Sequence, residues 1–306
     1  LIVTPPISRQ HEWQGLLLGL LGVIVFSLTL PMTHIVVREM HPLLSGLGRA
    51  LVAAVPAGAL LWWRRAPRPN RAQLKSLAVV AAGVIVGFPV LTAWSMRTVP
   101  AAHGAVVMGL QPLCVALYAA WLSHERLPRR FWLCALAGSA CVIAFALRAG
   151  GGLPQAGDLW MLAGVATGAL GYAEGGRLAR TMGGWQVICW ALVLSAPVLL
   201  APVAWLIHIH RGTISPGAWL AFGYIAMFSQ FLGFFAWYAG LALGGIARVG
   251  QVQLLQIFFT LAFSALWFGE HVDLSTVVFA LAVLACVALG RRGKAAPLNV
   301  TPAPAR

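Results

Sequence analysis

Apolar residues along this chain come in blocks of about twenty, each long enough to cross ~30 Å of hydrocarbon as a helix, with short polar connectors between them. Ten such blocks are expected, at approximately 14–37, 43–63, 74–96, 101–122, 129–148, 157–178, 184–207, 216–240, 246–268 and 273–291. They are apolar all round, whereas membrane-barrel strands are ~10 residues long and alternate, so a barrel is excluded. Connectors this short make successive helices antiparallel neighbours. The expected fold is all-α, a polytopic membrane protein of ten transmembrane helices.

One block is written twice. The stretch Ala101–Pro112, running on to Glu125, returns 145 residues later: Ala102 falls on Ala247, Leu110 on Leu255, Gln111 on Gln256, Ala120 on Ala265 and Glu125 on Glu270. Two of these identities are polar, which an Ala- and Leu-rich composition does not supply by chance. The chain therefore divides into two related units, 14–148 and 157–291. Each holds five spans, an odd number, so the second unit should be inserted upside down relative to the first. Inverted repeats can exchange conformations and expose a midplane site to each side in turn. Gly15, Gly19 and Gly22 match the spacing of Gly164, Gly168 and Gly171 at a shift of 149, and such small-residue rows let helices approach closely in lipid. Pro31, Pro56, Pro89, Pro112, Pro197 and Pro202 lie inside spans, where they should kink or unwind them.

Composition agrees with this pattern. Of 306 residues, 60% are hydrophobic and 9% charged, against roughly a quarter charged in soluble chains; the mean hydropathy is +0.85. The net charge of +14 does not point to nucleic acid, because nearly all Lys and Arg lie between spans. With the N-terminus inside, the inner connectors and tails hold fifteen of them and the outer ones four, Arg38, Arg97, Arg148 and Arg211. That bias places both termini in the cytoplasm. The five cysteines all fall within apolar spans and read as packing thiols, not as disulfides or metal ligands. The apolar run from Gly15 is too long for a signal peptide and lacks a cleavage site, so it reads as a retained span.

Met96-Arg97-Thr98-Val99-Pro100-Ala101-Ala102-His103-Gly104-Ala105, leading into Gln111-Pro112 and ending at His124-Glu125-Arg126-Leu127, has a second copy running from Tyr238 to Glu270. Together they resemble the tandem EamA repeats of the drug/metabolite transporter superfamily, and His41-Pro42 followed by Arg49 is similar to that family's early Pro…Arg pattern. The likeness covers 14–291. It implies ten helices around a central cavity, with the third, fourth, eighth and ninth spans as scaffold and gates. It also implies export of small metabolites across a bacterial inner membrane, with the aromatic amino-acid exporters the most similar branch. No arginine stands near Trp185-Gln186 where the second repeat would carry one.

Candidate substrate contacts follow from polar and aromatic residues near mid-span. Gly104, Met108, Gln111 and Val115 share one helical face, and their counterparts are Val249, Gln253, Gln256 and Thr260. A buried amide is costly unless hydrogen-bonded, so these two stripes face a wet cavity or bond one another across helices. Thr29 and Thr33 flank Pro31 and either line the same space or bond their own backbone. Phe88, Tyr172, Phe231 and Phe234 would supply flat walls, while Trp13, Trp62, Trp63, Trp121, Trp185, Trp205 and Trp219 at span ends read as interfacial anchors. Trp94 and Trp237 lie close to the two mouths.

Glu174 is the only acid clearly within a span, either a proton carrier or the partner of Arg177 three residues on. His34 and His103 near outer helix ends are gate or pH-sensing candidates, or satisfied interfacial histidines; Arg248 is a further gate candidate. Arg49 is a candidate carboxylate binder, or it snorkels outward or pairs with Glu39. With no Lys or Arg at mid-span, a phosphate cradle is not expected.

A carrier for small amphipathic solutes, above all aromatic or hydrophobic amino acids, fits best, acting as a monomer in the bilayer. Another neutral or weakly cationic solute, such as a purine or lipophilic drug, is the alternative. An enzyme would need clustered His, Asp or Glu or a nucleophile beside a base, and no catalytic residue, metal site or cofactor is expected. A channel would show charge rings or a carbonyl filter.

Overall fold

The computed structural model describes residues 9–122, 129–149, 155–210, 212–250, 252–269 and 271–291. The two acidic turn residues of the repeat, Glu125 and Glu270, lie outside them. Among the described residues there is helix and connector but no strand. Six helical stretches are long and apolar enough to cross a bilayer: Trp13–Glu39, Pro42–Trp63, Arg71–Ser95, Ala101–Leu122, Gly184–Ile209 and Pro216–Gly244.

The first stretch is α1 (Arg9–Ser27) and α2 (Thr29–Glu39), broken at Leu28. Pro31 explains the break, because it has no N–H to offer the Ser27 carbonyl one turn earlier. Helix α3 (Pro42–Trp63) starts on a proline at its first position, with His41 Nδ1 accepting from Leu43 N at 3.2 Å. Helix α4 (Arg71–Val80) is opened by a capping box in which Asn70 and Gln73 bond each other's backbone at 2.9 Å. It runs through a π-helical segment, Ala81–Gly87, into α5 (Phe88–Ser95). Then α6 (Ala101–Met108) breaks at Gly109-Leu110 before α7 (Gln111–Leu122).

Helix α8 (Arg129–Ala149) completes the first half of the chain. The second half opens with α9 (Ala156–Met182) and α10 (Gly184–Ile209), which continues unbroken through Pro197 and Pro202. Helix α11 (Pro216–Tyr224), capped by Ser215 Oγ, passes through a second π-helical segment, Ile225–Leu232, into α12 (Gly233–Gly244). The short α13 (Ile246–Val249) is followed by a 3-10 turn at Val252–Leu254, then α14 (Leu255–Phe268) and α15 (Leu274–Arg291).

Two irregularities recur at the repeat spacing. Moved by 145, Ala81–Gly87 lands within the second π segment, and the Gly109-Leu110 break lands on the 3-10 turn and the start of α14. The seams between helices recur as well. On one side Gly15, Gly19 and Gly22 of α1 lie against α12: a Cβ on Gly240 would meet the Gly15 carbonyl and the Gly19 nitrogen at 2.8 Å. On the other side α9 lies against α5 and the first π segment, and a Cβ on Gly83 would meet the Thr167 carbonyl at 2.5 Å.

Gly22 faces Trp237, whereas Gly164 faces Thr92, the counterpart of Trp237 at the 145 shift. Gly22 and Gly164 are therefore equivalent, at a separation of 142 and not the 149 that glycine spacing alone suggested. Contacts choose the register here, because a row of glycines at spacings of four and three matches a neighbouring row at more than one offset.

One end of the bundle gathers the start of α3, the ends of α2 and α5, and the starts of α6, α9 and α11. Glu39 bonds Ser215, His41 meets Trp94, Trp94 meets Trp160 and His103 bonds Asp158. The helix bearing the first π segment thus ends where the one bearing the second begins. Arg38, Arg148 and Thr276 line a cleft at this same end. Trp13, Trp62, Trp121, Trp205 and Trp219 are exposed, as anchors should be, but Trp237 is fully buried between α1 and α12.

Candidate functional site

At the centre, side chains from α1, α2, α3, α5, α9, α12, α14 and both π segments enclose a small chamber: Phe26, Thr29, Arg49, Val84, Phe88, Tyr172, Ser229, Gln230, Phe234 and Gln256. Ala105, Met108, Gln253, Ile257 and Thr260 line a second void, and Gln256 belongs to both. Each void measures about 10 Å³, room for roughly one water, whereas small-molecule sites run to about 300 Å³ or more. In this arrangement the chamber is too small to hold a small-molecule solute.

The chamber's polar walls follow from broken helices. Pro31 leaves the Ser27 carbonyl without its helical donor, and Thr260 Oγ1 of α14 donates to it at 2.8 Å. Gln256 Nε2 donates to the neighbouring Phe26 carbonyl at 3.3 Å. Thr29 and Ser229 share a hydroxyl hydrogen bond of 2.8 Å. Gln230 Nε2 reaches the Val84 carbonyl at 3.2 Å, joining one π segment to the other across the chamber. Phe26 packs on Phe234 with centroids 4.9 Å apart and on Tyr172 at 6.4 Å, forming an aromatic wall.

Arg49 corrects two expectations. It is 2% exposed and lines the chamber, so a cation does lie at mid-span. It does not pair with Glu39, whose carboxylate accepts from Ser215 N at 2.6 Å and from its hydroxyl at 2.8 Å. Snorkelling is closed off because α3 packs against α5, α10 and the second π segment, with Gly46 admitting Val90 so closely that a Cβ would sit 2.9 Å from its Cα. Two turns into a helix is near enough to its end for snorkelling to look open in the sequence. The enclosure is tertiary.

The remaining candidates separate. Thr29, Phe88, Tyr172 and Gln256 line the chamber, and Met108 and Gln253 line the adjoining void. Thr33 is buried with its hydroxyl unpartnered and lines neither. Gln111 does not line them either: it packs on Gly168 of α9. The break at Gly109-Leu110 separates its helix from that of Met108, so the expected continuous stripe is split. Phe231 is not a wall but packs on Phe235, because the π segment advances the helix phase and turns Ser229 and Gln230 inward instead. Phe26, Val84, Ser229 and Gln230 are the chamber residues the sequence did not single out. For Gln230 a signal existed, an amide in the middle of an apolar span, but its counterpart is Ile85 and repeat matching passes over it.

Glu174 is bound by Arg177 through both oxygens, with Ser76 also bonded to that arginine, the paired arrangement that was one of its two readings. His34 is held by the Met96 carbonyl at 2.8 Å and Arg38 at 2.9 Å. His103 Nε2 lies 2.6 Å from Asp158 Oδ1, both buried, tying α6 to the start of α9. It borders the end cleft of about 680 Å³, shared with Arg38, Arg148, His271 and Asp273. The side chain of Arg248 lies outside the described residues. Among the described residues no cluster of His, Cys, Asp or Glu could hold a metal.

Comparison with known proteins agrees with this architecture. The model of the EamA-like transporter family matches twice, over residues 13–147 and 155–290. A Bacillus subtilis (strain 168) protein named uncharacterized transporter YdeK is 44% identical over 278 residues, covering 91% of this chain and 97% of its own. A solved crystal structure superposes with a TM-score of 0.64 at 18% identity, over 91% of this chain and 96% of the other, a likeness of fold.

Proposed function

The chain belongs to the EamA-like transporter family, and from that premise we propose that it is a bacterial inner-membrane carrier exporting small amphipathic metabolites, aromatic and hydrophobic amino acids foremost. In this reading all ten expected spans cross the bilayer, both termini are cytoplasmic, and 14–148 and 157–291 are inverted repeats that alternate access to the chamber as a monomer. The recurrence of the π segment and of the helix break at the same spacing supports the repeat. Their positions beside the chamber suit hinges, since π segments and broken helices repack at small cost.

The observation that carries the substrate class is the lining itself. Phe26, Tyr172 and Phe234 form an apolar wall, and Thr29, Ser229, Gln230 and Gln256 line the same chamber with hydroxyls and amides. An amphipathic solute matches both sides, whereas a lipophilic cation would meet the charge of Arg49. The test is counterflow of labelled phenylalanine in proteoliposomes loaded with unlabelled phenylalanine. Saturable counterflow is expected, slowed by Gln256→Leu. Flux that never saturates would indicate a channel, and an unchanged rate in Gln256→Leu would remove the chamber from the pathway.

A further inference from the structure

Among the described residues the guanidinium of Arg49 is the one charged group in the chamber, and every acid whose side chain is described is bonded elsewhere. Seven are encoded. Glu39 is bonded to Ser215, Asp158 to His103 and the Gln155 N–H, Glu174 to Arg177, and Asp273 to Ser275 and Thr276. The side chains of Glu12, Glu125 and Glu270 are outside the described residues, and in sequence all three fall outside the apolar spans. No described carboxylate therefore neutralises Arg49. Its Nε has no hydrogen-bond partner, and neither has Gln256 Oε1 in the same wall. A charge held in low dielectric without a counter-charge is unfavourable unless the protein uses it.

We propose that Arg49 is the receptor for a substrate carboxylate, so that the carrier selects monocarboxylates with an apolar or aromatic body. The planar guanidinium offers paired donors matched to the two oxygens of a carboxylate, whose single negative charge offsets the guanidinium's own. The rings of Phe26, Tyr172 and Phe234 take the body. Gln256 Oε1 accepts from an amino group where the substrate has one. A dianionic phosphate would leave the chamber negative, and an amine or amide would leave Arg49 unmatched. This inference rests on the carrier reading and names the group that reading leaves open.

The experiment measures binding to the full detergent-solubilised chain for two acid–amide pairs, 3-phenylpropanoate against 3-phenylpropanamide and hexanoate against hexanamide. Each acid is expected to bind at least about tenfold more tightly than its amide, as a charge-assisted bidentate contact implies. Arg49→Gln levels the pairs, and Arg49→Lys, which keeps the charge, retains part of the preference. Equal affinity of acid and amide in the unaltered protein, or no binding of either acid, overturns the proposal whether or not the variants fold. An acid preference that survives Arg49→Gln overturns it too. Binding of the hexanoate pair alone would leave the carboxylate receptor standing and remove the aromatic preference.

Discussion

Along the seam between α1 and α12 backbone meets backbone, with Gly15 and Gly19 so close to Gly240 and Gly244 that no Cβ fits. Trp237 closes the seam with no exposure at all. A few residues away in the chamber the helices stand apart around two small voids, and buried polar atoms of Arg49 and Gln256 are left without partners. The seam has one way to pack, because atoms already in contact cannot approach further. The chamber has unspent hydrogen-bonding capacity and soft π segments on two sides, so it can take more than one arrangement. The difference separates what should move as a unit, α1 with α12 and α9 with α5, from what should open between the units.

The most damaging change should therefore be on the seam. Gly240→Leu drives a branched side chain into the Gly15 carbonyl, and no folded protein is expected on size-exclusion chromatography in detergent. Gly223→Ala is the control, because nothing lies within 4 Å of a Cβ there. Equal yields of the two variants would mean that the seam yields and that α1 and α12 are not a unit.

Next comes the pair that ties the halves at the cleft end. Asp158→Ala strands His103 in a buried site, where a polar group left without its hydrogen-bond partner typically costs about 1–3 kcal/mol. The melting temperature should fall well below that of Asp158→Asn, which keeps a hydrogen bond to His103. If the two variants melted together, the hydrogen bond to His103 would contribute nothing measurable.

How far these contrasts were legible in the sequence depends on whether a residue's neighbours are its own helix. The long apolar rods, the Glu174–Arg177 pair three residues apart, and Gln256, Tyr172, Phe88 and Thr29 near mid-span are local patterns, and each is found where the pattern put it. Arg49 was legible as a carboxylate binder only beside two alternatives, since whether a cation two turns into a helix reaches water is decided by α5, α10 and the second π segment. The exchange of Phe231 for Ser229 and Gln230 was hidden for a related reason. Depth along a span does not say which face a residue takes, and in the π-helical segment the faces are shifted by a wider turn.

A subtler perturbation separates the chamber's two sources of order. Thr260→Val removes the donor to the Ser27 carbonyl that Pro31 leaves unpaired, and should cost about 1 kcal/mol, within the range for interhelical bonds in membranes. In a Pro31→Ala background the carbonyl regains its own helical N–H, so Thr260→Val should then cost clearly less. Additive losses in this double-mutant cycle would show that Thr260 acts independently of the kink.

The smallest effect belongs to the start of α15, outside the chamber and seam alike. Asp273 is exposed and accepts from Ser275 Oγ and from the Thr276 hydroxyl and N–H, which hold its carboxyl down at about 2. The folded value lies below the ordinary 3.8, so its contribution to stability is complete above about pH 4 and fades as pH falls toward 2. The melting difference between the unaltered protein and Asp273→Ala should stay constant from pH 7 to about 5 and shrink by roughly half at pH 3. A difference that held steady to pH 3 would mean that the neutral acid caps α15 as well as the carboxylate does. The helix would then owe its start to packing against α8, as the seam owes its strength to contact and not to charge.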